Sequence, residues 1–467
     1  MRFIFISILS FAITGCVNYA GIHSHSALLP ETQPTPHVYP LPPPVSTAKS
    51  GQWWDMFNDP QLNILIDAAL SCSPNIQIAQ NRLARARHLA EAAGASLFPY
   101  VDLSGYIRRE HFTKNGLIPP PFAGTSRNLG NLAANLNYEI DFWGKNRETI
   151  AAKVSEAKAA EADLAQAQLV LSTAVAAGYF QLQYDLALEE LIEKIVQQRQ
   201  QLLEIIQLRA KHHLTSVIPV SSAKIQVAYW ELFLAQIQQF TQIQRNQLAA
   251  LMGDNPFTTQ IAVNHFQYNP KLLALPPVIP ASFLGRRPDV AASLWRVEAA
   301  GHLVNVEKAL FFPDINLLAF FSFQSVGLNK WFNFSSRDYT GQAAFTLPIF
   351  DAGYLRSSLK ARYDEYDEAV NKYNQTIITA LQQVADQLSA LQTEQLQIKM
   401  QKDAEIIAKN NYHRNNLLNQ HGITDKTDVL TAQATWFYQQ LFLLFFEDMN
   451  IQSTISMINA LGGGCYG

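Results

Sequence analysis

Residues 370–398 read VNKYNQTIITALQQVADQLSALQTEQLQI, and an apolar side chain recurs at every seventh position of this segment. The repeating positions are Val370, Ile377, Val384, Leu391 and Ile398. A sustained seven-residue apolar repeat indicates helices that supercoil against partner helices. The segment lies within a longer stretch, 354–420, that is rich in Gln, Ala and Leu and has neither proline nor glycine. The sequence therefore predicts a long helix that packs along other helices.

A second stretch, 145–213, has a similar composition and keeps the same spacing in shorter runs. These runs are Leu164, Leu171 and Gly178, and then Leu188, Ile195 and Leu202. A helix of about 67 residues is on the order of 100 Å long, because each residue adds about 1.5 Å. The core of a compact domain is not that deep, so we expect a helical rod or tube.

Matching features of the chain are separated by one constant distance. Four pairs lie 209 residues apart: Gly144 and Gly353, Val175 and Val384, Leu182 and Leu391, and Val220 and Val429. One offset that holds across a helix start, an apolar seam and a turn indicates an internal duplication. We predict that the unit is repeated twice and contains a helix, a β-hairpin and a long helical hairpin.

The predicted domains follow from this duplication. We expect a signal peptide at 1–15, a proline-rich tether at 16–50, a first repeat at 51–262, a linker at 263–282 and a second repeat at 283–464. The β-hairpins are expected near 98–143 and 313–350, and the long helical hairpins near 145–253 and 353–461.

The N-terminus has the features of an export signal. Met1 and Arg2 precede an apolar run, 3–13, that is too short to cross a membrane as a mature helix. The next residues complete the segment Ile13-Thr14-Gly15-Cys16, which resembles the bacterial lipobox, whose cysteine is acylated and becomes the new N-terminus. We therefore predict lipidation of Cys16; the alternative is that this cysteine is incidental. Val17 follows, which by the same resemblance favours the outer membrane.

Four short segments alternate apolar and polar side chains. Two of them follow Phe98-Pro99, and the other two follow Phe312-Pro313. Such alternation is typical of outer-membrane barrel strands, and it fits half of a soluble sandwich equally well. Four strands per chain cannot enclose a lumen, and exposed strand edges promote aggregation. A ring of three chains solves both problems. We therefore expect a homotrimer with a shared 12-stranded β-barrel that continues into a long α-helical coiled-coil barrel.

The composition narrows the function. The chain has 467 residues, of which 48% are hydrophobic and 16% charged, with a formal net charge of −3. The chain has no excess of basic residues, so its charge does not indicate nucleic acid as a partner. After the signal segment, no apolar stretch is long enough to predict a transmembrane helix. No phosphate-binding loop, nucleophile elbow or metal-ligand spacing is evident, so we expect neither an enzyme nor a cofactor or bound metal.

Short motifs spread over about residues 50–464 resemble the TolC-type outer membrane efflux proteins, and specifically their lipoprotein branch of RND and NodT type. The motifs are Trp53-Trp54 with Phe57 and Asp59-Pro60, residues 138–144 (YEIDFWG), 285–290 (GRRPDV), 311–313 (FFP), 348–353 (PIFDAG), 421–423 (HGI), 428–430 (DVL) and 461–463 (LGG). The resemblance implies a trimeric duct, anchored by lipid in the outer membrane and extending into the periplasm. It also implies two partners, a periplasmic adaptor of the membrane fusion type and an inner-membrane efflux pump.

The resemblance also implies the site residues. The turns between paired long helices are expected to contact the adaptor at Leu214, Thr215, Ser216, Gly422, Ile423 and Thr424. Asp428 matches a position whose acidic side chains ring the periplasmic gate; the alternative is that it caps the returning helix. The family often has a second acidic gate residue one turn further along, and Thr431 occupies that position here. In the first repeat, Pro219 occupies the position that matches Asp428. His213 stands where glycine is usual.

Four residues at the junctions between helices and strands are expected to be structural: Gly144, Gly353, Pro99 and Pro313. The glycines suit backbone conformations that side chains disfavour.

The leading interpretation is the outer-membrane channel of a tripartite system that exports drugs or other small molecules. The duct of a type I protein secretion system shares the same features. A lipid-anchored rod without a pore is the third possibility, although a rod needs no alternating strands.

Overall fold

The structure is a computed structural model that describes residues 18–29, 52–259, 261–266, 268–269 and 281–463. The predicted signal peptide, the lipidation site Cys16 and most of the proline-rich tether lie outside the described residues. So does part of the predicted linker.

The described chain is mainly helical. Its helices are α1 (Pro60–Cys72), α2 (Pro74–Gly94), α3 (Lys145–Lys211), α4 (Val217–Leu251), α5 (Pro288–Ala309), α6 (Tyr354–Gln420) and α7 (Lys426–Ala460). Helices α3 and α6 have 67 residues each, and α4 and α7 have 35 each. Helix α6 begins 209 residues after α3, at 354 and 145, and helix α7 begins 209 residues after α4, at 426 and 217. The constant offset found in the sequence is thus also the offset between the bounds of the helices.

Four strands form one antiparallel sheet in the order β1-β2-β3-β4. They are β1 (Tyr100–His111), β2 (Ser126–Glu139), β3 (Asp314–Val326) and β4 (Arg337–Thr346). Each predicted hairpin is present, and β2 pairs with β3 so that strands from the two halves of the sequence share the sheet. The prediction of four strands per chain is confirmed. Within the described chain, the outer edges of β1 and β4 carry no further strand.

The strand register separates the sheet into two faces. Leu103 of β1 lies level with Ala134 of β2, Phe321 of β3 and Tyr339 of β4. Neighbouring positions on this apolar face are Val101, Ile107, Leu132, Leu136, Leu317, Phe323, Ala343 and Phe345. The opposite, polar face holds Asp102, Ser104, Asn131, Asn135, Asn137, Asn316, Gln324, Thr340 and Gln342, and Leu318 and Phe320 interrupt it.

The residues divide into two compact units. The first comprises the described residues of 18–28, 82–161 and 292–374, and therefore contains the sheet. The second comprises the described residues of 29–81, 162–291 and 375–463, and therefore contains most of the long helices.

The predicted heptad seam is buried. Val370, Ile377, Val384, Leu391 and Ile398 are each at most 7% exposed. Burying a side chain of this size stabilises the fold by roughly 1.5–3 kcal/mol. In α3, Val175, Leu182 and Ile192 are fully buried in the same way. These side chains explain why sequences with so many glutamines still form packed helices.

The second unit has its main apolar cluster between residues 53–57 and helix α3. Trp53, Trp54 and Phe57 are buried there against α3, and the Trp53 indole nitrogen donates a hydrogen bond to the Ser172 hydroxyl at 3.1 Å. Asp59 caps α1 by accepting hydrogen bonds from the first backbone amides of the helix.

In the first unit, residues 18–29 lie along the start of α6. The Asp367 carboxylate accepts hydrogen bonds from the backbone amides of His25 and Ser26 and from the Ser24 hydroxyl at 2.5 Å. Ile22 packs with Phe311 and Leu355. This part of the predicted tether is extended but bound to the body, so it does not act as a free spacer.

Among the described residues, no helix combines the length and the apolar character that crossing a membrane requires.

Candidate gate at the turns between the long helices

The two turns that join the paired long helices have the same backbone structure. The Leu214 amide donates to the Arg209 carbonyl and the Ile423 amide to the Leu418 carbonyl, both at 2.9 Å. One residue earlier, the amides of His213 and Gly422 donate to carbonyls three residues back at 3.0 Å. This pair of bonds is the Schellman motif, which needs a left-handed residue just after the helix. His213 and Gly422 provide it, with φ of 59° and 72°.

The predicted tip residues lie on these turns. Leu214 is 77% exposed and Ile423 69% exposed. Ser216 and Gly422 are also exposed, and Thr215 and Thr424 are half-buried. Exposed aliphatic side chains at a tight turn gain nothing from folding of the single chain. Contact with an adaptor stays a prediction.

Asp428 takes part in capping helix α7. The Asp425 side chain accepts from the Thr427 amide at 3.0 Å, and the Asp428 side chain accepts from the Asp425 amide at 3.4 Å. Together these bonds form a capping box, in which two acids satisfy amides at the positive end of the helix. The alternative interpretation of Asp428 therefore describes a contact that is present. Asp428 remains exposed, and its role at a gate stays a prediction.

The other predicted gate residue, Thr431, is exposed, and its hydroxyl donates to the Thr427 carbonyl at 2.8 Å. This bond stays within helix α7. In the first half, Ser216 precedes α4 without a side-chain capping bond, and Pro219 occupies the place that Asp428 holds in the second half. The described turns thus differ in charge although their backbones match.

An ion pair joins the end of α3 to the start of α7. Arg209 and Asp425 form it with their side chains about two-fifths exposed. The sequence alone did not identify this pair. The signal was available, because Arg209 lies in the last turn of one predicted helix and Asp425 at the cap of another. What the sequence lacked was the pairing of those two ends in space.

Further along the same helices, a buried polar contact strengthens the association. The Gln198 side chain donates to the Leu430 backbone carbonyl at 2.8 Å, and both residues are almost fully buried. Arg199 lies nearby with its guanidinium 5.7 Å from the ring centre of Tyr438. The contacts of Arg209, Gln198 and Arg199 all link α3 to α7.

At the sheet end of the long helices, glycine allows a sharp change of direction. Gly144 and Gly353 have φ of 81° and 88°, in the region that side chains disfavour. Burial raises the pKa of Asp141, but hydrogen bonds from the Arg147 and Asn146 amides outweigh it and leave the pKa below its usual value. A bond from the Leu355 amide likewise lowers the pKa of Asp351. Each carboxylate thus fixes the first turn of a long helix.

The predicted structural prolines precede the strands. Pro99 comes directly before β1, and Pro313 directly before β3. The Trp143 indole nitrogen donates to the Pro313 carbonyl at 2.8 Å, and the Trp143 ring stacks on Phe312 with centroids 4.6 Å apart. One aromatic contact therefore joins the segment that follows β2 to the segment that precedes β3.

Comparisons with known proteins agree with this architecture. The family model described as outer membrane efflux protein matches residues 65–254 and 279–463. The multidrug resistance outer membrane protein MdtP of Escherichia coli O6:H1 (strain CFT073) is 28% identical over 97% of this chain and 94% of its own length. The putative multidrug resistance outer membrane protein MdtQ of Escherichia coli K12 is 27% identical over 97% and 96%.

Solved structures are similar as well. The outer membrane protein VceC of Vibrio cholerae has a TM-score of 0.81 at 32% identity, covering 89% of this chain and all of that one. The Campylobacter jejuni CmeC outer membrane channel has a TM-score of 0.82 at 23% identity over 95% of both chains, which shows the fold. The chain belongs to the outer membrane efflux protein family, and it serves efflux at the outer membrane.

Proposed function

We propose that three copies of this chain form a passive channel, which carries drugs or other small molecules from a periplasmic adaptor and an inner-membrane pump to the outside. The observation that supports it most directly is the sheet, whose two edges carry no further strand among the described residues and whose two faces differ in polarity. Three such sheets joined edge to edge leave no free edge, with the apolar face toward lipid and the polar face toward water.

The long helices support the same assembly. Helix α4 exposes an apolar stripe at helical spacing, formed by Ile218, Ile225, Tyr229 and Leu232. An exposed stripe of this kind indicates a surface that another helix covers. Helices of sibling chains can cover it.

The polar lining suits passive conduction. The polar face carries amide and hydroxyl groups such as those of Asn135, Asn137 and Gln342. These groups bind water without selecting strongly for charge, so the pump would choose the substrate and the channel would do no catalysis. At the narrow end, three copies of Asp428 would attract cations and repel anions.

The partners are proposed from the turns and from the relatives. MdtP and MdtQ are both named multidrug resistance outer membrane proteins, which favours small-molecule efflux over protein secretion. The exposed Leu214 and Ile423 provide apolar contacts for the adaptor. An acylated Cys16 would hold the chain in the inner leaflet of the outer membrane, and mass spectrometry of the mature N-terminus, compared with Cys16→Ser, tests this.

Channel recordings test the proposal. Protein extracted in detergent should run as a trimer and conduct in planar bilayers. Asp428→Asn removes the charge but keeps an oxygen for the capping bond, so it should reduce cation preference without loss of stability. Asp428→Ala should also loosen the turn and raise conductance. Asp254→Asn, after the far end of α4, is the charge-matched control. A stable monomer in plain buffer, or no conductance from any of these variants, contradicts the proposal.

A further inference from the structure

The loop between β3 and β4, residues 327–336, folds back onto the apolar face of the sheet. The Trp331 indole nitrogen donates to the Phe323 carbonyl at 2.9 Å. A Cβ at position 130 would lie 2.7 Å from Trp331 Cδ2, so glycine at this position leaves the space in which the indole rests. Gly130 and Phe323 both belong to the apolar face. Trp331 is therefore fixed on the side of the sheet that is proposed to face lipid.

Two further aromatic rings extend from this base. Phe332 stacks on Trp331 with centroids 5.0 Å apart, and the Arg337 guanidinium lies 3.5 Å above the centre of the Phe334 ring. Phe332 and Phe334 remain 66% and 74% exposed. The loop is well ordered by its own bonds, including one from the Ser336 hydroxyl to the Lys330 carbonyl at 2.8 Å. These rings are held in place before any partner binds.

The surrounding charge is basic. Neither hairpin loop, 112–125 or 327–336, contains an acidic residue. Over residues 108–127 and 327–338, six cationic residues face two acidic ones, although the whole chain carries a formal charge of −3. The cations are Arg108, Arg109, Lys114, Arg127, Lys330 and Arg337. This end of the sheet is thus complementary to an anion.

We infer that Trp331, Phe332 and Phe334, with Lys330 and Arg337, bind the phosphate-bearing headgroups of outer-leaflet lipid. Aromatic rings concentrate at membrane–water interfaces, and basic side chains beside them attract anionic headgroups. The aromatic–basic loop, 327–337, would hold the sheet at a fixed depth in the bilayer. This inference rests on the proposed function, because it takes the apolar face to contact lipid.

Fluorescence quenching tests the aromatic part. The full-length protein is reconstituted in vesicles whose lipids carry bromine near the headgroup, which quenches nearby tryptophan. Trp331→Phe should reduce the quenched fraction, whereas Trp436→Phe, in helix α7, should not. Phe334→Trp keeps an aromatic ring beside Arg337 and should add quenched emission. Equal quenching in the wild type, W331F and F334W, as expected if a sibling chain covers the loop, overturns the inference.

Lipid binding tests the basic part. Native mass spectrometry in detergent compares phosphatidylglycerol with zwitterionic phosphatidylcholine. The double variant K330Q/R337Q should bind phosphatidylglycerol roughly ten- to thirty-fold more weakly, since each cation near a membrane surface contributes about 1 kcal/mol. The double variant K409Q/R414Q loses the same charge in helix α6 and should bind as the wild type does. Equal loss in both variants contradicts a specific headgroup site.

Bilayer conductance of the same preparations distinguishes failure of the loop inference from failure of the proposed channel function. Normal conductance without lipid quenching at positions 331 and 334 contradicts the loop inference alone. Loss of conductance together with loss of all lipid quenching contradicts the proposed function.

Discussion

His213 and Gly422 lie 209 residues apart and adopt the same left-handed backbone conformation, each just beyond a helix of 67 residues. The hydrogen bonds around them are the same at 2.9 and 3.0 Å. The two copies of the turn thus have the same geometry, although one has glycine at this position and the other has histidine. Histidine is among the residues that tolerate this conformation better than most, but glycine adopts it without steric strain.

Replacing His213 by glycine should therefore stabilise the protein by about 0.5–1 kcal/mol. The gain comes from relief of left-handed strain and is partly offset by the greater freedom of glycine in the unfolded chain. Denaturant midpoints of the full-length protein measure it. The helical residue Gly94 has no neighbour within 4 Å of an added Cβ, so Gly94→Ala is a control for the glycine effect alone and should stabilise slightly. A loss of stability in His213→Gly would contradict the strain argument.

Alanine at two left-handed glycines should have unequal effects. Gly422 has open space around it, so Gly422→Ala should cost about 1–2 kcal/mol from backbone strain. At Gly253, a Cβ would also lie 2.9 Å from the Cys72 carbonyl oxygen, which is backbone and cannot turn away. Gly253→Ala should therefore cost about 2–4 kcal/mol. Equal costs at the two positions would show that the close approach of the two chain segments relaxes freely.

The ion pair between Arg209 and Asp425 should stabilise the turns weakly, by about 0.2–1 kcal/mol, because both side chains are partly exposed. Arg209→Gln and Asp425→Asn each remove the pair while the helix cap remains. Asp425→Ala also removes the cap and should cost about 1 kcal/mol more. A double-mutant cycle measures the coupling, and channel recordings should show longer openings in all three variants.

The matched control is Lys194→Gln, which breaks an ion pair with Glu190 inside helix α3. Both residues of that pair belong to α3, so its loss should leave the channel recordings unchanged. If Lys194→Gln lengthens openings as much as Arg209→Gln does, the link between α3 and α7 is not what restrains the turns.

Stability should depend on pH through Asp448. Burial, with a smaller contribution from the nearby Asp185, raises the pKa of this carboxyl to about 7, although a hydrogen bond from Gln452 lowers it. The folded protein thus keeps a proton that the unfolded chain releases near pH 4. Because the folded state binds more protons between pH 4 and 7, the stability contributed by this group is complete below pH 4 and is lost as pH rises through 7.

Asp448→Asn should remove this dependence. Near pH 8 the variant should be more stable than the wild type, by on the order of 2–4 kcal/mol, and near pH 4 the two should be similar. Urea unfolding across the pH range measures the difference. Asp403→Asn, at an exposed position of α6, is the control and should leave the pH profile unchanged. A parallel pH profile for Asp448→Asn and the wild type would contradict a raised pKa.

Much of the fold could be predicted because its signals are local and periodic. The step of seven from Val370 to Ile398 marks a buried helical seam, and the alternation from Val101 to Ile107 marks a strand with two faces. Positions required by backbone conformation were also readable, as at Gly144 and Gly353. The domain boundaries and the roles of the gate residues stay predictions.

The contacts of the candidate site could be predicted from the sequence less well than the fold. Asp428 was weighed as a gate residue or as a cap, and only the backbone of the turn shows that its carboxylate closes a capping box with Asp425. The pair of Arg209 and Asp425 joins residues 216 positions apart, and nothing in either local sequence names the other. Likewise, residues 18–29 read as a spacer, whereas the carboxylate of Asp367 binds them to α6.

The amino-acid sequence by itself determined the duplication, the long helices and the two-faced strands, because periodicity along the chain fixes which side of each element is apolar. Only the tertiary structure decided which elements meet, that β2 pairs with β3, that Trp331 lies on Gly130, and that Arg209 reaches Asp425. Those contacts join distant residues, and their free energy depends on distances and burial that exist only once the chain has folded.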